Sequence, residues 1–88
     1  MRYAVRLSGR AAKDLDRLNR KTQLRMLCRL EQIAESPYEP RFSAGLSHLE
    51  GLRKSRVGGW RIIFTIDDKS RTVNVVTIER RGQVYQRI

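Results

Sequence analysis

At 88 residues the chain suffices for one small domain, and we take residues 1–88 as a single domain. Its 19 lysines and arginines outnumber 9 acidic residues, which gives a formal net charge of +10 and implies a polyanionic partner, either nucleic acid or an acidic protein. The single cysteine excludes an internal disulfide, and no apolar run approaches the length of a membrane span. A reducing, cytoplasmic location fits this cysteine usage and a charged first segment unlike a signal peptide.

The first half of the chain predicts one strand followed by two helices. Residues 2–7 alternate between apolar and polar side chains, which is typical of a half-buried strand. Ser8 is a suitable N-cap for a helix from Gly9 to about Leu18, and Thr22 for a second helix that ends at Ser36-Pro37. The apolar stripe expected on that second helix consists of Leu24, Leu27, Cys28, Ile33 and Ala34.

The second half of the chain has the two-residue period of β-strands. After a loop at residues 38–50 we expect strands at about 52–57, 60–66 and 71–79, and a short strand or extended tail at 83–87. The predicted fold class is therefore α+β: an N-terminal strand, a two-helix hairpin, then a mainly antiparallel curved sheet of four or five strands.

The Gly58-Gly59 turn predicts a β-hairpin that gathers positive charge. In a two-residue turn Arg56 lies opposite Arg61, and alternation places Lys54 on the same face. Since like charges in opposing positions repel, this arrangement favours an anion between them, and phosphate is the obvious candidate. The same register puts Arg53 on the helix-covered face, which a bulge or a sheet-edge position would resolve.

Simpler interpretations of these residues stay open. The hairpin cations, like the many basic residues of the helices, can be solvated surface charges or contacts to RNA phosphates. Trp60 and Cys28 are expected to pack in or beside the core, and His48 to lie in a surface loop. One histidine and one cysteine make neither a usual metal site nor a catalytic triad.

Two segments resemble the RelE/ParE superfamily of bacterial toxin–antitoxin pairs. The segment 56–64, Arg-Val-Gly-Gly-Trp-Arg-Ile-Ile-Phe, looks like the family's pattern of arginine, apolar residue, glycine, aromatic residue, arginine and apolar residues. The segment 80–85, Arg-Arg-Gly-Gln-Val-Tyr, looks like its basic pair followed by Val-Tyr. With the preceding strand and helices, the resemblance covers nearly the whole chain.

For the RelE branch, the resemblance implies a toxin that enters the ribosome and cleaves mRNA in the A site. The 2′-hydroxyl of the RNA is the nucleophile, a 2′,3′-cyclic phosphate is left, and neither metal nor cofactor is needed. It implies as partners a cognate antitoxin, the ribosome and mRNA, with no membrane. The oligomeric state of the free toxin stays open.

The resemblance also assigns roles to individual residues. Lys54 matches a base or charge stabiliser, Arg61 a phosphate clamp, and Tyr85 a residue that stacks on or orients the nucleotide. Either Arg80 or Arg81 matches a second C-terminal arginine. We take the catalytic set as Lys54, Arg61, Arg81 and Tyr85, and the further RNA contacts as Arg53, Arg56 and Arg80.

Two positions depart from the RelE pattern, and two other functions therefore stay open. Leu52 stands where well-studied members carry lysine, and Arg80 where relatives often carry histidine. Because arginine is a poor base, Lys54 or Tyr85 would have to transfer the proton. One alternative is a ParE-like inhibitor of DNA gyrase. The other is a non-catalytic nucleic-acid-binding module.

Overall fold

The computed structural model of the chain describes residues 2–46 and 51–80. In chain order the elements are β1 (Ala4–Leu7), α1 (Gly9–Asp16), α2 (Arg20–Glu35), β2 (Ala44–Gly45), β3 (Arg53–Val57), β4 (Trp60–Asp67) and β5 (Thr72–Arg80). They form a five-stranded sheet in the order β1-β5-β4-β3-β2, in which β1 pairs with β5 in parallel and the other pairs are antiparallel. The α+β class is confirmed. The sequence did not predict β2, and the strand expected at 83–87 lies outside the described residues.

The helix starts follow from side-chain capping. Ser8 caps α1 as predicted, because its Oγ accepts a hydrogen bond from the backbone N–H of Ala11 at 2.9 Å. The prediction that Thr22 caps α2 is wrong. Asn19 is the cap, and its Oδ1 accepts from the N–H of Thr22 at 2.9 Å. Both residue types cap helices well, so the sequence alone does not choose between them.

The buried stripe of α2 differs from the prediction. Ile33 and Ala34 are buried as expected, but Met26 and Leu30 complete the buried face. Leu24 and Leu27 are 54% and 46% exposed, and Cys28 is exposed, so their predicted core positions are wrong. The helix is apolar on more than one side, and packing against the sheet selects the side that is buried. The core cluster consists of Ala11, Leu18, Met26, Leu30, Ile33, Val57, Ile62, Phe64, Val73, Val75 and Ile78.

A β-bulge in β5 changes which side chains face the core. Phe64 pairs with Val75, and the preceding residue of β4, Ile63, pairs with Thr77. Val76 is therefore the extra residue, and it is 41% exposed. After the bulge Ile78 returns to the core, while Thr77 and Glu79 on either side of it point to the opposite face of the sheet from Ile78.

Ser8 and α1 satisfy the backbone groups of β5 that lie beyond the end of β1 and have no strand neighbour on that side. The Ser8 N–H donates to the Val75 carbonyl at 2.9 Å, and the Ser8 hydroxyl donates to the Val76 carbonyl at 2.7 Å. Asp14 Oδ2 accepts from the Ile78 N–H at 3.1 Å and from the Thr77 hydroxyl at 2.8 Å. Beyond the end of β1, this helix thus takes the place of a neighbouring strand.

We expect Asp14→Ala to lower the free energy of unfolding by about 1–3 kcal/mol, because it leaves a part-buried N–H and hydroxyl unsatisfied. Urea denaturation measures the loss, and Asp16→Ala, at an exposed position of the same helix, is the matched control. Equal losses for the two variants would show that Asp14 does not support the bulge.

Candidate nucleic-acid interface

The hairpin of β3 and β4 brings three predicted cations to one face of the sheet. Arg56 lies opposite Arg61, and Lys54 opposite Ile63, in the predicted register. Gly58 in the connecting turn has φ +61°, a left-handed conformation that favours glycine. Because directly opposed residues point to the same side, Lys54, Arg56 and Arg61 share the face turned away from the helices. We call this face the hairpin face.

The three cations differ in exposure and in partners. Arg56 is exposed and Lys54 half-buried, whereas Arg61 is only 5% exposed. Glu79 of β5 lies directly opposite Arg61, and Arg61 Nη2 is 3.5 Å from Glu79 Oε2. A carboxylate of the protein therefore faces Arg61 at the place where the sequence suggested an anion.

Glu79 is the residue of this site that sequence reasoning missed. Unbroken alternation along β5 from the core residues Val73 and Val75 would send Glu79 into the core. Only the bulge at Val76 turns it toward Arg61. An isolated glutamate in an otherwise Val- and Ile-rich strand was the available signal.

Arg53 points away from the hairpin face. Its Nε donates to Ser43 Oγ at 2.8 Å, and its guanidinium lies 5.1 Å from the centroid of the Tyr38 ring. Its neighbour Ser55 also faces the helices, where its hydroxyl accepts from Arg29 Nη1 at 2.9 Å. Polar partners on the helix side thus accommodate both residues without a bulge in β3. The RNA-binding role of Arg53 stays a prediction, placed apart from Lys54 and Arg56.

A carboxylate shared by two tyrosines holds the loop after α2 against the β4–β5 turn. Asp68 accepts hydrogen bonds of 2.6 Å from the hydroxyls of both Tyr3 and Tyr38. These two bonds lower the pKa of Asp68, and the same bonds raise the pKa of each tyrosine. The cluster joins β1, the loop and the turn, and so fixes the Tyr38 ring beneath Arg53.

Arg80 also lies away from the hairpin face. It pairs with Trp60 across the sheet, and its guanidinium is 5.2 Å from the Trp60 ring centroid. Trp60 packs against the core cluster, as the sequence predicted. Arg81, Tyr85 and His48 lie outside the described residues, so the structure brings together Lys54, Arg56 and Arg61 from the predicted set.

The described ranges offer neither a metal centre nor a membrane span. Within residues 2–46 and 51–80, histidine, cysteine, aspartate and glutamate side chains form no group of three that could hold a metal ion. No helix in the same ranges is both long and apolar enough to cross a bilayer. The cations of the hairpin face, Lys54, Arg56 and Arg61, are groups that bind and stabilise anionic oxygens.

Comparison with known proteins identifies the family. A family model described as the ParE toxin of the type II toxin–antitoxin system parDE matches residues 5–85. The chain belongs to this toxin family. It is also 31% identical over 95 residues to Toxin RelE of Mycobacterium tuberculosis, covering 96% of this chain and 87% of that protein. The protein is thus a type II toxin of the RelE/ParE superfamily, as the motifs indicated.

Solved structures agree with the fold. The toxin–antitoxin complex RelBE2 of Mycobacterium tuberculosis contains a chain 25% identical to this toxin, with a TM-score of 0.78 over 92% of this chain and all of that chain. The archaeal RelE–RelB complex of Pyrococcus horikoshii contains one that is 22% identical, with a TM-score of 0.79 over 94% and 99% of the two chains. The second similarity concerns the fold alone.

We expect the Arg61–Glu79 pair to be energetically coupled. Removing one member takes a counter-charge from the other in a nearly buried position, so Arg61→Leu and Glu79→Leu should each cost about 3 kcal/mol of unfolding free energy. The double variant should cost less than the sum, by at least about 1 kcal/mol. Urea denaturation of the four proteins measures this difference. Additive losses would mean that the two side chains do not act as a pair.

Proposed function

We propose that this toxin is a ribosome-dependent mRNA endonuclease that cleaves in the A site through the 2′-hydroxyl of the RNA. The observation that supports this most is the cross-strand arrangement of Arg56, Arg61 and Lys54 on one face. Three cations converging there suit a reaction in which charge accumulates on the phosphate. The identity to Toxin RelE of Mycobacterium tuberculosis supports the RelE branch.

The proposed reaction needs proton transfer and charge stabilisation. The 2′-oxygen bonds to phosphorus, the bond from phosphorus to the 5′-oxygen breaks, and the products are a 2′,3′-cyclic phosphate and a 5′-hydroxyl. The proton of the 2′-hydroxyl leaves to a base, and the 5′-oxygen receives one. Lys54 and Tyr85 are the proposed proton carriers, and Arg56, Arg61 and Arg81 stabilise the added negative charge.

Glu79 gives Arg61 a conditional role in this proposal. In the free toxin the carboxylate neutralises the guanidinium. A phosphate drawn to the exposed Arg56 brings a second anion to Arg61, and the pentacoordinate state carries more negative charge than the ground state. Arg61 then exchanges carboxylate for phosphate oxygens as charge develops, and this strengthens binding in the transition state selectively.

The proposed partners are a cognate antitoxin, the ribosome and mRNA, in the cytoplasm. RelE chains of the two solved structures described above are bound to RelB antitoxins. In this toxin an apolar groove of about 670 Å³ between β1 and α2 is lined by Val5, Leu7 and Leu27, among others. We propose that an amphipathic antitoxin segment packs there, since exposed leucines beside an edge strand suit helix or strand addition.

A second candidate function is inhibition of DNA gyrase without nuclease activity. Two observations favour it: the matching family model is that of ParE toxins, and Arg61 is buried against Glu79 rather than presented at the surface. A third possible function, that of a nucleic-acid-binding module without a dedicated partner, is disfavoured because the chain belongs to a toxin family.

The deciding test adds purified toxin to a defined translation reaction and maps mRNA 5′ ends by primer extension. We expect cuts inside A-site codons that require ribosomes. Arg56→Gln and Lys54→Ala should each slow cleavage by about 100-fold, because Arg56 stabilises the charge of the transition state and Lys54 carries a proton.

Lys69→Gln is the control for these variants. It removes one exposed cation from the β4–β5 turn, beyond Asp67, which lies six residues and thus about 20 Å along β4 from Arg61, and should leave cleavage unchanged. Intact mRNA together with blocked gyrase supercoiling would replace the nuclease proposal by the gyrase proposal. Equal effects of all three substitutions would remove the hairpin face from the mechanism.

A further inference from the structure

A second basic site lies at the edge of the sheet, beside the hairpin face. It is a cleft of about 270 Å³ between the C-terminal half of α2, the loop that follows it, and β3. Four cations line it: Arg29, Arg41, Lys54 and Arg56. Among the residues that the structure describes, none that lines the cleft is acidic. We call it the edge cleft.

Arg29 is held in place in the edge cleft by several contacts. Its Nε donates to Gln32 Oε1 at 2.9 Å. Its Nη1 donates to Ser55 Oγ at 2.9 Å and to the Arg56 carbonyl at 2.6 Å, and the guanidinium lies 5.8 Å from the Phe42 ring centroid. These contacts fix the plane of the guanidinium, so little side-chain entropy remains to be lost on binding.

The two N–H groups of Arg29 Nη2 have no acceptor within residues 2–46 and 51–80. A rigid guanidinium with two spare donors beside three further cations is suited to the oxygens of a phosphate. Arg41 contributes a charge at the solvent-exposed rim of the cleft, since its side chain is 83% exposed. Glu39 Oε1 lies 3.1 Å from Arg41 Nε, and this ion pair weakens the attraction of Arg41 for a phosphate.

We propose that the edge cleft binds a phosphodiester of single-stranded RNA that flanks the one held at the hairpin face. Lys54 and Arg56 carry the argument for RNA, because they line the cleft and also belong to the hairpin face. A single RNA strand can therefore run from the hairpin face across the β2–β3 edge of the sheet and stay in contact with positively charged side chains along the way. This inference rests on the proposed function, in which RNA occupies the hairpin face.

Binding of uncleavable RNA tests the edge cleft without ribosomes. The probe is a short, fluorescently labelled 2′-O-methyl oligoribonucleotide, which lacks the nucleophile, and the readout is fluorescence anisotropy over a range of salt concentrations. We expect Arg29→Lys to weaken binding about tenfold, because lysine keeps the charge but loses the planar fork. Arg41→Gln should weaken it about threefold, and it should lower the slope of log affinity against log salt by about 0.7.

Glu39→Gln should change RNA affinity in the opposite direction. It removes the carboxylate that pairs with Arg41, so RNA binding should tighten, a gain that misfolding cannot imitate. Lys69→Gln removes an exposed positive charge of the β4–β5 turn that does not line the edge cleft, and it is the matched control for Arg41→Gln.

Two outcomes would overturn the edge cleft as an RNA site. One is an equal loss of RNA affinity in Arg41→Gln and Lys69→Gln, which would reduce the cleft to general surface charge. The other is unchanged RNA binding with weakened binding of oligo-glutamate, which would assign the cleft to an acidic peptide. If mRNA stays intact during translation but the cleft variants lose RNA affinity as expected, the nuclease proposal fails and the RNA site stands.

Discussion

One extra residue in β5 determines how the charged groups of this toxin are arranged. The bulge at Val76 returns Ile78 to the core and places Glu79 opposite Arg61 on the other face. The backbone groups of β5 beyond the end of β1 are satisfied by Ser8, the cap of α1, and by Asp14 in the second half of that helix, so the cap of a helix and the register of a strand depend on each other. Without that register, Glu79 would not face Arg61, and this nearly buried ion pair would not form.

The resulting surface has three kinds of cation. Arg61 is buried against Glu79, Arg56 and Lys54 are accessible, and Arg29 is fixed by hydrogen bonds at the edge of the sheet. A net charge of +10 attracts any polyanion, but guanidinium groups held in defined orientations recognise individual phosphates. The two proposals share this logic: the hairpin face holds the reacting phosphate, and the edge cleft holds a neighbouring one.

The sequence predicted those features of the fold that depend on neighbouring residues. The Ser8 cap, the Gly58-Gly59 hairpin and the Arg56–Arg61 pairing were predictable because each depends on residues close in the chain. Packing decided the rest: α2 has several apolar sides, so Cys28 was assigned to the core although it is exposed. The Glu79–Arg61 pair was not predicted, since a run of Val, Thr and Ile does not locate a bulge and the isolated Glu79 alone does not give its position. The roles of Arg81 and Tyr85 rest on the resemblance and stay predictions.

The most direct test of this account is the guanidinium NMR spectrum of the toxin, recorded with and without the 2′-O-methyl oligoribonucleotide. Each arginine Nε–H gives its own signal, so the spectrum reports which side chains meet phosphate. We predict that the signals of Arg56 on the hairpin face and Arg29 in the edge cleft shift as the RNA saturates, while those of Arg10 on α1 and Arg17 at its C-terminal end stay in place. Saturation with Arg56 and Arg29 unshifted would show that RNA binds elsewhere and would contradict the proposed sites.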